Sequence, residues 1–226
     1  LASINFDKTQ HVIIILVDAL GYYQLKKANE VGFTTKFINK LAENGVSLKA
    51  RTVYPSNTLD AHKALFQFDG TTIFERVTKN GMKAIVIFGP RIDEEIPLSG
   101  AKVVMPRDYD GDRIIEDSDV TITAQRILRN EKPNLLYVHL SVDATGHRFG
   151  PYSERSFQDI KKTDGYIGII LRELQKLDEY KDAIVIITAD HGMHKANSGG
   201  RHGTILPEDM TIPIIINQIS KIRDER

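Results

Sequence analysis

Five runs of apolar, strand-forming residues constrain the fold of this chain more than any other feature. The runs are Val12–Val17, Ala84–Phe88, Leu135–Val142, Ala183–Ala189 and Ile212–Ile216. Each run is almost continuously hydrophobic instead of alternating, which predicts a strand that is covered on both faces. Strands of this kind are typical of a parallel sheet with helices packed against its two sides.

Helical patterns fill the gaps between these runs. Apolar residues recur at helical spacing in Thr35–Glu43, Thr72–Lys79, Val120–Leu128 and Phe157–Leu177. We therefore expect an α/β fold with a mostly parallel central sheet and helices on both faces. No internal repeat or linker divides the 226 residues, so we expect a single domain over residues 1–226.

The composition excludes several classes of partner and site. Lysine plus arginine number 30, as do aspartate plus glutamate, so we expect neither nucleic acid nor a membrane as a partner. The chain has no cysteine, which excludes disulfides and thiolate metal ligands. Its longest apolar run is too short to span a bilayer. We expect a cytoplasmic protein, or a secreted or cell-surface one if a leader preceded Leu1; the oligomeric state is left open.

Three of the predicted strands end at an aspartate. Asp18 follows the first run, Asp143 the third and Asp190 the fourth. Taken singly, an aspartate after a strand is more simply a turn former or a helix cap. In an open α/β sheet, however, ligands bind outside the carboxyl ends of the strands. We therefore expect the three carboxylates to share one site.

Histidines accompany these aspartates. His147 lies in the same predicted loop as the second aspartate, His191 directly follows the third, and His202 lies in a glycine-rich loop. We expect Gly146 and Gly192 to let the backbone turn tightly beside them. Carboxylate and imidazole ligands without sulfur suit Zn²⁺ or Mn²⁺ better than Ca²⁺ or Mg²⁺.

The other histidines have weaker signals. His139 lies in the middle of a predicted strand, where a core position or a supporting role beneath the site is expected. His62 follows Thr58 by one helical turn and is expected to support the loop before it. His194 is expected in a solvent-exposed loop.

Thr58 stands where a loop becomes a helix, within Tyr54–Leu65. Threonine is a preferred helix cap, worth about 1 kcal/mol, so capping is the simplest interpretation. Ser56 and Asn57 could cap the helix equally well, which would free the Thr58 hydroxyl to face the site. The helix N-terminus there would attract a phosphate, and a divalent metal would activate the hydroxyl as a nucleophile.

Five motifs follow one another along the chain. They are Asp18–Gly21, Pro55–Thr58 with His62, Asp143–His147 followed by Gly150 and Pro151, Ala189–Met193, and His202–Thr204. In this order they resemble the alkaline phosphatase superfamily, and within it the type I phosphodiesterase/nucleotide pyrophosphatase family. The resemblance runs from about His11 to Ile216. It implies a hydrolase in which Thr58 attacks phosphorus and water then hydrolyses the phosphothreonine.

The same resemblance implies two divalent metals and their ligands, with zinc expected and manganese as the alternative. One metal would be held by Asp143, His147 and His202, and the other by Asp18, Asp190, His191 and Thr58. The substrate would be a small phosphate ester or a nucleotide.

Departures from the family pattern leave alternatives open. Of the usual Pro-Asn-His near the nucleophile, only the histidine is present in Asp60–His62. We expect the domain to be shortened after Leu65, where no equivalent of a phosphoryl-binding asparagine is found, and again after Ile216. No arginine lies in the nucleophile motif, which favours diesters over monoesters. The alternatives are a phosphomonoesterase or phosphonate hydrolase with the same site, or a catalytically inactive metal-binding domain.

Overall fold

The computed structural model describes residues 4, 9–89 and 95–222, and the rest of the predicted domain lies outside these ranges. Strands β1 to β11 are, in order, Val12–Asp18, Val46–Arg51, Gln67–Phe68, Thr71–Thr72, Ala84–Ile87, Lys102–Val104, Leu135–Ser141, Ile184–Thr188, His194–Lys195, Gly200–Arg201 and Thr211–Gln218. Helices α1 to α8 are Tyr22–Glu30, Lys36–Glu43, Thr58–Phe66, Ile73–Lys79, Asp117–Asn130, Asp143–Phe149, Glu154–Lys176 and Pro207–Met210.

Seven of these strands form one central sheet, in the order β2-β11-β8-β1-β7-β5-β6. Strand β1 is parallel to both of its neighbours, β7 and β8, and β5 is parallel to β7 and β6. Strand β11 runs antiparallel to both of its neighbours, β2 and β8, and so opposite in direction to the other six strands of this sheet. All five apolar runs of the sequence are strands of this sheet, so the predicted mostly parallel α/β fold is confirmed.

Helices cover the sheet on both faces, and each face has its own hydrophobic core. Ile13, Ile15 and Val17 of β1 belong to a core shared with α1, α2, α5 and α7. The alternate residues Ile14 and Leu16 belong to a second core with α3 and α4. Successive side chains of a strand point to opposite faces, so burial on both sides requires a continuously apolar run. The four predicted helices correspond to α2, α4, α5 and α7.

Helix α7 is the longest described helix and orders the start of α2. The buried carboxylate of Asp164 accepts hydrogen bonds from the backbone N–H groups of Phe37 at 3.1 Å and Ile38 at 2.8 Å. A carboxylate is favoured there because the first N–H groups of a helix have no partner within it. Although α7 has 23 residues, neither it nor another described helix is both long and apolar enough to cross a membrane.

Candidate metal centre

Three neighbouring strands bring the predicted aspartates to one edge of the sheet. Asp18 is the last residue of β1 and is in register with Ser141 at the end of β7. Asp143 begins α6, just after β7, and Asp190 lies just beyond the end of β8, on the other side of β1. The carboxyl ends of parallel strands therefore define the site, as the strand-end rule predicts.

Asp18, Asp190 and His191 form a buried group whose ligand atoms lie within 4.8 Å of one another. Nε2 of His191 lies 3.5 Å from Oδ1 of Asp18 and 3.5 Å from Oδ2 of Asp190. Oδ1 of Asp190 accepts hydrogen bonds from the backbone N–H groups of Ala19 at 3.1 Å and His191 at 2.9 Å. These bonds fix the carboxylate and leave its Oδ2 with no hydrogen-bond partner among the described residues.

The backbone around this first group is bent and closely packed. Ala19 has a φ of +62°, a left-handed conformation that is costly for a residue with a side chain and that often marks functional sites. Gly192 was predicted to make a tight turn, but it permits a close approach instead. Its φ lies outside the left-handed region, and a Cβ there would lie 2.0 Å from the carbonyl oxygen of Glu208. A side chain at residue 192 would therefore displace the segment that carries His191.

Asp143, His147 and His202 form a second, more exposed group. Nε2 of His147 lies 3.2 Å, and Nε2 of His202 3.6 Å, from Oδ1 of Asp143. The loop predicted for Asp143 and His147 is in fact helix α6, whose geometry places residues four apart on one face. Gly146 accordingly makes no turn; it leaves room for the buried Met193, whose Sδ would lie 2.7 Å from a Cβ at that position.

Backbone carbonyl groups fix the tautomer of all three histidines. Nδ1 of His147 lies 2.9 Å from the carbonyl oxygen of Gly200, and Nδ1 of His191 lies 2.9 Å from that of Gly192. Nδ1 of His202 lies 3.2 Å from the carbonyl oxygen of Ser56. A carbonyl oxygen can only accept, so each Nδ1 carries the proton and Nε2 of the neutral ring carries a lone pair. Each lone pair faces a carboxylate oxygen, which is also an acceptor. Such groups repel unless a cation lies between them, and metal-binding histidines have this hydrogen-bond pattern.

Stacked rings join the two groups into one cluster. The ring centroids of His191 and His202 are 3.9 Å apart, with the planes inclined by 21°, and those of His147 and His202 are 5.0 Å apart. Oδ1 of Asp18 and Oδ1 of Asp143 are buried and have no hydrogen-bond partner among the described residues. The predicted ligands thus surround one continuous polar centre.

Burial and mutual proximity shift the titration of this cluster. Burial, reinforced by the carboxylates of Asp190 and Asp143, raises the pKa of Asp18 well above its usual range. Burial alone would also raise the pKa of Asp190, but His191 and the other histidines near it hold this pKa below the usual range. Burial and the neighbouring His191 lower the pKa of His202, which favours its neutral form. Asp18 is therefore the carboxyl group of the buried pair whose negative form the surrounding protein favours least.

Thr58 is the first residue of α3 and faces this cluster. Its Oγ1 lies 3.3 Å from Nε2 of His191, to which the hydroxyl can donate. Asn57 is the N-cap: its side chain accepts a hydrogen bond from the backbone N–H of Asp60 at 2.9 Å. The prediction that another residue could cap this helix is confirmed, and the Thr58 hydroxyl points to the site instead.

Two hydrogen bonds that sequence reasoning missed hold the segment before α3. Oγ of Ser56 donates to the carbonyl oxygen of Thr204 at 2.7 Å, and Oγ1 of Thr52 donates to the carbonyl oxygen of Asp190 at 2.5 Å. They tie the segment that precedes Thr58 to the loops that carry His202 and Asp190. No motif signals these bonds, because the partners are 148 and 138 residues apart.

Asp209 anchors the loop that carries His202. Its fully buried carboxylate accepts hydrogen bonds from Oγ1 of Thr204 at 2.7 Å and from Nδ1 of His194 at 2.8 Å. The prediction of a solvent-exposed His194 is therefore wrong: the residue begins β9, which pairs with β10, and its ring is only partly exposed. His194 thus helps to hold, through Asp209, the loop that carries His202.

A pocket of about 430 Å³ opens beside the second group. It is lined by His147, Ser198, Gly200, Arg201 and His202. Arg201 is exposed and forms no ion pair with any residue of the described ranges. A larger open groove, of about 780 Å³ beside α1, contains none of the predicted ligands in its lining. The smaller pocket is therefore the candidate substrate site.

Residues 63–217 match the sequence model of a family described as type I phosphodiesterase / nucleotide pyrophosphatase. The chain belongs to this family. The matched segment is more than half of the chain and includes every predicted ligand from Asp143 to His202. Asp18 and Thr58 precede the segment, so the predictions that they are a metal ligand and the nucleophile depend on motif and geometry alone.

Individual proteins of known sequence or structure are similar to this chain over limited parts of their length. Human ectonucleotide pyrophosphatase/phosphodiesterase family member 1 is 24% identical over 132 residues, which are 58% of this chain and 14% of that protein. A solved protein in the alkaline phosphatase superfamily from Vibrio parahaemolyticus has a TM-score of 0.65 at 18% identity, covering 93% of this chain and 60% of its own. Phosphonoacetate hydrolase from Sinorhizobium meliloti 1021 has a TM-score of 0.61 at 19% identity, and the match covers 84% of this chain and 59% of the hydrolase chain. These structures confirm the predicted alkaline-phosphatase-like fold.

Proposed function

We propose that this chain is a two-metal-dependent phosphoric ester hydrolase, a phosphodiesterase or nucleotide pyrophosphatase working as a single catalytic domain. The observation that supports the proposal most directly is the set of imidazole lone pairs that face carboxylate oxygens beside the Thr58 hydroxyl. One cation would be held by Asp143, His147 and His202, and the other by Asp18, Asp190, His191 and Thr58.

The donor set fits divalent cations. Three buried carboxylate oxygens have no hydrogen-bond partner among the described residues: Oδ1 of Asp18, Oδ1 of Asp143 and Oδ2 of Asp190. Carboxylate and imidazole donors without thiolate suit zinc, with manganese as the alternative. When bound, such cations would neutralise charge on the phosphoryl oxygens and favour the alkoxide form of a coordinated hydroxyl.

Thr58 would supply the nucleophile for a small phosphate ester or nucleotide. A bond forms from its Oγ1 to phosphorus, its proton is released, and the bond from phosphorus to the leaving oxygen breaks. Water then cleaves the phosphothreonine and returns a proton to Oγ1. The position of Thr58 at the start of α3 supports this role, because a helix N-terminus presents partial positive charge to a phosphoryl group.

Arg201 favours a second candidate function with the same site, a phosphomonoesterase or phosphonate hydrolase. The residue lines the pocket with His147 and His202 and has no carboxylate partner in the described ranges. A guanidinium group matches the geometry of a doubly charged phosphate. Arg201 could bind the second negative charge of a monoester although the motif around Thr58 has no arginine, so the missing arginine argues less strongly against monoesters.

One assay separates these functions. Purified protein is supplied with Zn²⁺ or Mn²⁺ and given bis-p-nitrophenyl phosphate or p-nitrophenyl phosphate, while bound metal is counted by atomic emission. Faster cleavage of the diester supports the proposed function, and faster cleavage of the monoester supports the second candidate. A protein that binds two metals and cleaves neither ester would be an inactive metal-binding domain and would contradict both.

A further inference from the structure

His62 belongs to α3, one turn after Thr58, and its side chain is completely buried. Its Nδ1 is 2.6 Å from the carbonyl oxygen of Thr58, and its Nε2 is 2.6 Å from the hydroxyl of Tyr137. We propose that Tyr137 and His62 are positioning residues that fix the orientation of Thr58. The inference rests on the proposed function, in which the Thr58 hydroxyl is the reacting group.

The chemistry of the partners sets the direction of both hydrogen bonds. The Thr58 carbonyl oxygen can only accept, so Nδ1 of His62 carries the proton. In a neutral ring Nε2 is then an acceptor, and the Tyr137 hydroxyl donates to it. Tyr137 thereby selects the one tautomer of His62 that can hold the Thr58 carbonyl group.

The structure around these two residues leaves them little freedom. Tyr137 lies within β7, between β1 and β5 at the middle of the sheet, and none of its surface is exposed. The His62 ring is enclosed by other rings, with centroid distances of 5.3 Å to Phe66 and 5.6 Å to Phe88. A closely packed ring with both nitrogens bonded has one stable orientation, and an anchor on a central strand is rigid.

A bond to the Thr58 carbonyl group acts on its hydroxyl through the shared backbone. If the carbonyl group turned, Oγ1 would move relative to Nε2 of His191, which lies 3.3 Å away. A misplacement of about 1 Å at a reacting group can slow catalysis roughly 100-fold. A tyrosine that served packing alone would affect stability without this kinetic effect.

Tyr137→Phe tests the proposal because it removes only the hydroxyl. We expect kcat for the faster of the two nitrophenyl esters to fall roughly 10- to 100-fold, with KM and bound metal unchanged. Tyr180→Phe is the matched control: Tyr180 is also fully buried, and its hydroxyl donates to the carbonyl oxygen of Leu128 at 3.3 Å, in the core on the opposite face. An unchanged kcat in Tyr137→Phe, or an equal loss in both variants, would overturn the inference.

The tautomer of His62 provides a readout that does not depend on activity. Long-range ¹H–¹⁵N correlation spectra should place wild-type His62 in the Nδ1–H form and give the Nε2–H form a measurable population in Tyr137→Phe. An Nε2–H form in the wild type would contradict the inference. A wild type that cleaves neither ester would contradict the proposed function instead, so the two failures are distinguishable.

Two substitutions of His62 test the bond to Thr58 itself. His62→Asn keeps an N–H donor near the position of Nδ1, whereas His62→Leu keeps only the bulk. We expect His62→Asn to retain at least several-fold more of the wild-type kcat than His62→Leu, at equal metal content. Equal losses in the two variants would mean that the hydrogen bond to the Thr58 carbonyl group does not position the nucleophile.

Discussion

The rings of His191 and His202 stack with their centroids 3.9 Å apart, although each ring belongs to a different candidate ligand group. Two positively charged rings at this separation would repel strongly in a buried site. The Nδ1 proton of each ring is directed at a backbone carbonyl group. The cluster is therefore arranged for neutral imidazoles, the form in which histidine binds metals.

Thr58→Ala is expected to abolish ester cleavage while bound metal persists. The substitution removes the attacking oxygen but leaves both carboxylates and the imidazole of the buried group in place. Thr58→Ser, which keeps a hydroxyl, should retain a measurable fraction of the rate. Release of p-nitrophenol and the metal content of each variant are compared. Undiminished hydrolysis by Thr58→Ala would exclude Thr58 from the mechanism.

Zinc is expected to raise the Tm of the metal-free protein. At 100 times its Kd, a ligand that binds only the folded state stabilises it by about 2.7 kcal/mol, which corresponds to roughly 5–11 °C for a chain of this size. Asp190→Asn should lose most of this shift in differential scanning calorimetry. Asp110→Asn is the control, because it alters an exposed acidic group outside the centre. An equal loss in the control would place the stabilising zinc elsewhere.

His139→Phe is expected to weaken zinc binding about 10- to 100-fold. Nε2 of His139 is buried, lies 3.7 Å from Oδ2 of Asp18 and has no hydrogen-bond partner in the described ranges. Phenylalanine preserves an aromatic ring to stack on Phe88, at 4.7 Å between centroids, while both ring nitrogens, including the buried Nε2, are lost. Competition with a chromophoric chelator measures the affinity. The control is His11→Phe, at a buried histidine bonded to the Pro133 carbonyl group, and it should bind zinc as the wild type does.

Asp117 is expected to contribute to the pH dependence of folding. Burial raises the pKa of this carboxyl group from the usual 3.8 to about 7. Because the folded state then binds the proton more tightly than the unfolded state, the contribution of Asp117 to stability is complete below pH 3.8 and is lost as the pH rises to about 7. Asp117→Asn is uncharged and can still accept the hydrogen bond from the Ser141 N–H.

Urea unfolding of the metal-free protein at pH 4.5 and 7.5 measures this contribution. From pH 4.5 to 7.5, the free energy of unfolding should fall further, or rise less, in the wild type than in Asp117→Asn, because only the wild type loses the contribution of Asp117. Identical pH profiles for the two proteins would refute the assignment.

Arg201→Gln is expected to raise KM for p-nitrophenyl phosphate more than for bis-p-nitrophenyl phosphate. The monoester carries the additional charge that a guanidinium group in the pocket would bind, and at an exposed site we expect an effect of roughly fivefold. Arg155→Gln is the matched control, since Arg155 is exposed and stacks on Phe149 outside the pocket lining. Equal changes for both esters would show that Arg201 does not recognise the second charge.

The central strands were predictable from sequence, whereas β2 and α1 were not. A strand buried on both faces must be apolar throughout, which produces a signal that is hard to miss. Strand β2 lies at the edge of the sheet, and none of its residues is fully buried. Helix α1 buries only Gln24, Leu25 and Ala28. Elements that bury so little apolar surface leave no periodic pattern to detect.

The candidate ligands could be predicted because neighbouring parallel strands place the residues at their carboxyl ends along the same edge of the sheet. The contacts that orient these ligands could not. The carbonyl groups that fix His147 and His202 lie 53 and 146 residues away in the chain, and Tyr137 lies 75 residues from His62. Every residue has a carbonyl group, so its use as a hydrogen-bond acceptor has no sequence signature.

The order of the strands also has a consequence for biosynthesis. Strand β1 leaves the ribosome well before its partners in the sheet, since their paired segments begin at Leu135 and Ile184. Pairings this distant in sequence form slowly. Asp18 therefore has no partner in the sheet until the segments that contain Leu135 and Ile184 have also been translated, so the cluster of acids and imidazoles cannot form before those segments are synthesised.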